Sequence, residues 1–229
     1  MLKGLHLGRI ISALQRPVTS RDAEGVAPPH TDPVPVILGG TIVTQVDHTT
    51  CGAAVLLMLQ ATGDPELARE LDEHPEKIGE YQLAIHHRIR RRAIGPFSWP
   101  QRYGSPPWTL AREAHFPGVE YIARAVDDRT DSGRAILNAV WHANAAGIPV
   151  PLYTGGSLGQ GLDRAIPRHV VLAVPPAGRS RERMLRIYEP SAGMLYDIPL
   201  DDLLGRTSPH RALGSWTHIV WAVMPRPTS

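Results

Sequence analysis

The chain has a single cysteine, Cys51, in 229 residues. An internal disulfide is excluded, and the redox compartment is not legible from cysteine pairing. Long apolar runs are also missing, since none approaches the roughly 18 residues of a membrane span. The opening stretch MLKGLHLGRIISALQRP is basic and mildly amphipathic. It lacks the continuous apolar core and small-residue cleavage site of a signal peptide. It reads as a short helix or irregular arm, with a surface-binding helix as the alternative. The expected location is the cytoplasm, with export by a route that needs no classical signal left open. An excess of one charge is absent too: 24 Lys and Arg face 22 Asp and Glu, a net +2. That balance predicts no nucleic-acid partner. No internal repeat is visible, and the oligomeric state is not legible.

What is there fits one domain carrying a flank, and the 42% hydrophobic content suits a buried core. Residues 17–37 are rich in proline and short polar side chains and read as a linker or wrapping segment. The expected division is a basic arm and proline-rich linker over 1–35 and a folded domain over 36–229. Cys51 to Thr62 is apolar nearly all round, the pattern of a buried helix. Gly63 is its natural stop, and Asp64-Pro65 restarts a helix as N-cap and first-turn proline. Residues 79–93 predict a surface helix with His86 and His87 exposed. Residues 105–116 predict another, capped by Ser105, and 131–147 a third. The period then changes. IPVPLY, RHVVLAV, MLRIYE, MLYDI and WTHIVWAVM are short β-rich runs between Gly and Pro turns. Helices before strands argue for an α+β fold, with an antiparallel sheet packed against the buried helix that carries Cys51.

Cys51 begins that helix, where the macrodipole and free N–H groups favour thiolate over thiol. A nucleophilic thiolate needs a base, an orienter for the base and oxyanion donors. Gln45, six residues upstream, carries an amide able to donate to an oxyanion beside the Cys51 N–H. Gly52 leaves room for a substrate backbone. The best base is His169, which opens an apolar strand that Val170, Val171 and Leu172 anchor. The next strand ends at Glu189-Pro190, and antiparallel pairing would bring the Glu189 carboxylate to the imidazole.

In QVDHTTCGAAVLLML, RHVVLAV and YEPSAG the sequence resembles the papain-like cysteine peptidases of the C39 type, the leader-peptide peptidases of bacteriocin exporters. The family pattern is Q-x-D-x-x-D-C-G opening a buried helix, a histidine opening a hydrophobic strand, and an Asp-Pro-x-x-Gly turn. The resemblance covers the start of the domain and residues 168 to about 223, not 64–165. It implies a papain-like fold and a peptide or protein substrate. It implies Cys51 as nucleophile, His169 as general base and acid, Glu189 as orienter and Gln45 as oxyanion donor. Two positions depart from it. Thr50 stands where an aspartate precedes Cys-Gly, and Glu189 is one methylene longer than the usual aspartate. No transporter segments follow, so the chain reads as a stand-alone domain.

The leading expectation is a Cys-His-Glu hydrolase of peptide or amide bonds. The alternatives are a deamidase or transglutaminase-type acyl transferase on the same fold, and an inactive papain-like binding module. An anion- or membrane-surface-binding protein using the basic arm and RIRRR is a third class. His48 and Trp216 are assigned to the edge of the cleft, Trp216 as the start of the last strand. Asp47 is read as a cap for the Cys51 helix and Ser191 as a stabiliser of the Glu-Pro turn. YTGGSLGQG lacks the Gly-Lys-Ser/Thr ending of a phosphate loop and reads as a loop over the cleft. One cysteine and scattered histidines do not form a zinc ligand set, so no metal or cofactor is assigned. LGG at 38–40 matches a double-glycine cleavage site, although a diglycine before a strand is common.

Overall fold

A computed structural model describes residues 32–101, 104–155, 169–176 and 183–226. The basic arm, most of the glycine-rich loop after Tyr153 and the first residues of the linker lie outside them. Alternation and continuity of apolar residues decide the layers. The run β6 (His169–Val174) is buried at every position. Its odd members, Val171 and Ala173, enter one core, and Val170, Leu172 and Val174 enter another. A strand apolar on both faces must be covered on both.

β6 lies mid-sheet. The order is β1 (Val34–Pro35), β8 (Met194–Pro199), β7 (Met184–Glu189), β6, β5 (Val150–Gly155), β9 (His218–Pro225), β4 (Tyr121–Ala125). Every neighbouring pair is antiparallel. The mixed α+β class and the helix-on-sheet packing are as expected. Two strands were not. Val34–Pro35 pairs with β8 two residues ahead of the anticipated domain start. The run YIARA forms β4, although its polar residues hide the pattern at an edge.

Helix α1 (Cys51–Gly63) packs on the face formed by Val170 and Leu172. All of it except Gln60 and Gly63 is buried. Gly63 is its last residue rather than a stop beyond it, because Phe116 and Pro117 press on that Cα. Helix α2 (Pro65–Glu73) starts as predicted: the Asp64 carboxylate accepts the N–H groups of Glu66 and Leu67.

Helix α3 (Ile78–Arg90) is a surface helix with one buried face: Ile78, Gln82, Ile85, His86 and Ile89 are buried, so His87 is exposed as expected and His86 is not. Helix α4 (Pro107–Glu113) is not capped by Ser105. Its N-cap is Pro106, and Ser105 is buried with its carbonyl accepting from the Tyr153 hydroxyl at 2.9 Å. Helix α5 (Asp131–Ala145) covers the other face with Leu137, Val140 and Ala143. Strands β2 (Ile37–Leu38) and β3 (Thr41–Ile42) form a small hairpin whose turn is Gly39-Gly40. The diglycine is thus the turn itself, held by the Gly39 N–H donating to Asp72 at 2.8 Å.

Candidate active site

The thiol of Cys51 sits at the N-terminus of α1, where the first N–H groups have no intrahelical partner and the dipole is positive. Asp47 shapes the turn that delivers it. Its carboxylate accepts the N–H and hydroxyl of Thr49, each at 2.7 Å. Its N–H donates to the Thr50 hydroxyl oxygen at 2.9 Å, and its carbonyl accepts from that hydroxyl at 2.9 Å. The expected Asp47 cap is therefore not formed: the carboxylate is consumed by Thr49, and no side chain caps α1. Thr50 is fully buried in this knot, so the residue that departs from the family pattern has a structural task of its own.

The segment before this turn is fastened to the far end of the sheet. The Tyr188 hydroxyl donates to the Val43 carbonyl at 2.8 Å, and the Gln45 N–H donates to the Pro190 carbonyl at 2.8 Å. From the helical side, the Gln82 amide accepts the Val46 N–H at 3.1 Å and donates to the Thr44 carbonyl at 2.9 Å. Gly193, with φ +67, permits the approach. A Cβ there would meet the Val43 carbonyl at 2.8 Å and Ile42 at 2.5 Å.

His169 opens β6 and Glu189 closes β7, in the antiparallel pair that sets Leu172 opposite Tyr188. Nε2 of His169 lies 2.6 Å from Oε1 of Glu189. The Cys51 side chain lies close enough to act on the ring as well. Since Glu189 occupies Nε2, Nδ1 is the nitrogen left for the thiol. Cys51, His169 and Glu189, separated by 118 and 20 positions in sequence, are thus brought to one place. All three are buried.

Burial by itself would push the His169 imidazole down. Hydrogen bonds to Cys51 and Glu189, and the charges on both, outweigh it and hold the ring at about 9. For Glu189, burial pulls the carboxyl up, but hydrogen bonds from His169 and Ser191 and the imidazolium charge bring it below its ordinary value. Ser191 is more than the turn stabiliser expected. Its hydroxyl is 2.8 Å from both Glu189 oxygens and its N–H donates to Oε1 at 2.9 Å, while the Ala192 N–H donates to Oε2 at 2.9 Å. The longer glutamate is thereby folded back into its own turn.

Gly214 forms the wall behind the imidazole. It has φ +63, and a Cβ there would fall 2.3 Å from Cδ2 of His169. The loop is anchored by the Thr154 hydroxyl, which donates to the Leu213 carbonyl at 2.9 Å. Sequence reasoning missed this residue, although the glycine shortly before an apolar strand was visible.

The remaining assigned residues fall as follows. Gln45 donates one amide N–H to the Asp47 carbonyl at 2.7 Å, and its Oε1 is buried without a partner among the described residues. That carbonyl fixes which end of the amide faces it and leaves the second N–H uncommitted. Gly52 does not open room for a substrate, because its missing Cβ would meet the Ser105 hydroxyl at 2.6 Å and Leu110 at 3.0 Å. It is a packing glycine between α1 and α4. His48 is exposed on the turn. Trp216 precedes β9 rather than starting it. It bridges to His210 through main-chain bonds, half-buried and two residues beyond Gly214.

A second histidine–carboxylate pair, with Asp128 buried and His218 partly so, was not anticipated. His218 Nδ1 lies 3.0 Å from Asp128, which also accepts the Ile219 N–H at 3.1 Å. This pair staples the loop before α5 to the start of β9. A cavity of about 670 Å³ opens between Gln60, Leu67, Arg88, Glu113, His115 and Phe116. It lies at the C-terminal end of α1, the opposite end from Cys51, and holds none of the connected triad. Among the described residues no group of three His, Cys, Asp or Glu side chains is placed to hold a metal, and no helix is long and apolar enough to cross a membrane.

No family model matches the chain, and no curated protein matches it. The chemistry of the site must therefore be argued from its geometry.

Proposed function

We propose that the protein is a cysteine-nucleophile hydrolase of peptide or amide bonds, with a papain-like fold of the C39 type. The observation that carries this reading is the buried His169–Glu189 pair, 2.6 Å apart, beside the Cys51 thiol at a helix N-terminus. A thiol, an imidazole and a carboxylate in that order are the nucleophile, base and orienter that such chemistry needs.

In this reading the resting pair is thiolate and imidazolium. The Cys51 sulfur attacks the carbonyl carbon, the C–S bond forms, and the carbonyl π pair moves to oxygen. The Cys51 N–H and the uncommitted Gln45 N–H face that oxyanion. His169 gives its Nδ1 proton to the leaving nitrogen as the C–N bond breaks. Water then attacks the thioester while neutral His169 accepts a proton from it. The C–S bond breaks, the acid leaves, and the thiolate–imidazolium pair is restored. Glu189 keeps the ring oriented and stabilises its charge in both steps.

The test is turnover of a mixture-based peptide library by the full chain, with cleavage sites read by mass spectrometry. Cys51→Ala and His169→Ala should abolish cleavage, and Gln45→Ala should lower it roughly 10²- to 10³-fold, the loss typical of one oxyanion donor. Cleavage that persists in Cys51→Ala would overturn the reading. So would a native chain that cleaves no member and forms no thioester with activated acyl donors.

A further inference from the structure

Residues 90–99 form a tight hairpin that the site does not use. Ile94 and Phe97 exchange both main-chain bonds, at 3.2 and 3.1 Å, across a turn made by Gly95 and Pro96. The Trp99 N–H donates to the Arg90 carbonyl at 2.8 Å and the Arg90 Nε–H donates to the Trp99 carbonyl at 3.0 Å, closing the stem. The directly opposed pair places both side chains on one side of the tip. Phe97 is 71% exposed, Ile94 55% and the adjoining Trp108 47%. Trp108 is fixed to the stem: its Nε1–H donates to the Ala93 carbonyl at 2.8 Å, and its ring meets Trp99 edge-on at 5.6 Å.

The base of this tip is basic. A shallow cleft beside it is lined by Arg88, Arg91, Arg92, Arg112 and Glu113. The Arg112 guanidinium donates to the carbonyls of Arg88 and Arg91 at 3.3 and 3.0 Å, which fixes the stem on α3. Glu113, the acidic member, is engaged by Arg88 at 3.6 Å and by Arg112 at 3.0 Å. The collar keeps a surplus of positive charge.

We propose that this hairpin docks the protein on an anionic lipid surface, with Ile94, Phe97 and Trp108 entering the headgroup–acyl boundary and Arg91 and Arg92 facing the phosphates. The shape decides against a peptide occupant, since the apolar residues stand on a projecting tip and not in a groove. A second copy meeting tip to tip on a two-fold axis would bring the arginine collars together. An apolar wedge with a cationic rim matches the two layers of a charged bilayer surface, and the two attractions add.

The test is co-sedimentation of the full chain with vesicles of phosphatidylcholine alone and of equal parts phosphatidylcholine and phosphatidylglycerol. Binding should require phosphatidylglycerol and weaken as salt rises. Phe97→Ser with Ile94→Ser, and separately Arg91→Gln with Arg92→Gln, should each lower the vesicle partition constant roughly tenfold. Unchanged thermal unfolding of both variants would exclude misfolding. Undiminished binding of both variants would assign any attachment to the basic amino-terminal arm and overturn the proposal. Equal binding to both vesicle types, or none to either, would overturn it as well.

Discussion

The Gln45 N–H donates to the carbonyl of Pro190 at 2.8 Å, joining the segment that delivers Cys51 to the turn that carries Glu189. The two ends of the candidate site are thus one structural unit, 145 residues apart in sequence. Tyr188, next to Glu189 and hydrogen-bonded to Val43, makes a second bolt across the same gap. The nucleophile and the orienter of its base cannot shift independently, which sets up several measurable consequences.

Replacing Glu189 by Gln removes the charge while keeping the size. The His169 ring should then titrate well below about 9, because burial opposes its charge and only Cys51 is left to favour it. Proton NMR of the His169 ring measures this directly. The effect on stability has a defined window. A histidine raised in the fold stabilises it fully below its unfolded value of roughly 6.5 and loses that contribution as pH rises through about 9. A carboxylate lowered in the fold contributes above its unfolded value of roughly 4.3 and loses this as pH falls through its folded value. The stability lost in Glu189→Gln should therefore be greatest between about pH 4.5 and 6.5 and shrink on both sides. A loss independent of pH would show that the pair is not ionised.

Ser191→Ala deletes the hydroxyl that reaches both Glu189 oxygens but leaves the Ser191 and Ala192 N–H bonds. Urea unfolding should show a loss of about 1.5–3 kcal/mol, the range for hydrogen bonds to a charged group.

Gly214→Ala would put a methyl carbon 2.3 Å from the His169 ring and force an L side chain to φ +63. The backbone strain costs about 1 kcal/mol. The greater effect is local: the ring must turn away from Cys51. Circular dichroism should stay close to native while Cys51 alkylation slows to the rate of an unassisted thiol. Native alkylation in a folded variant would mean that the wall is not needed.

Much of the framework was legible because it is built from strong local patterns. The apolar run from Cys51 to Thr62 announces a helix buried on all sides, and RHVVLAV announces a strand covered on both faces. Glu189-Pro190 marks the end of the next strand, and pairing those two strands brings the carboxylate to the imidazole. What escaped was set by tertiary neighbours. Nothing near His86 in sequence reveals that α3 turns that residue toward α1. Gly52 looked like open space until Ser105, from 53 residues on, was found against it. Asp47 and Ser105 both carry cap chemistry, but the Asp47 carboxylate serves Thr49 and the Ser105 hydroxyl is buried against Gly52. Strand β4 was obscured because an edge strand tolerates the polar residues of YIARA.

The most direct test is the rate of Cys51 alkylation by iodoacetamide as a function of pH, in the native chain and in His169→Ala. Alkylation of the native protein should be fast at about pH 6, where an ordinary thiol is almost wholly protonated, and that reaction should be lost in His169→Ala. Slow alkylation that rises only near pH 8.5 in both proteins would contradict the thiolate–imidazolium pair and the hydrolase reading built on it.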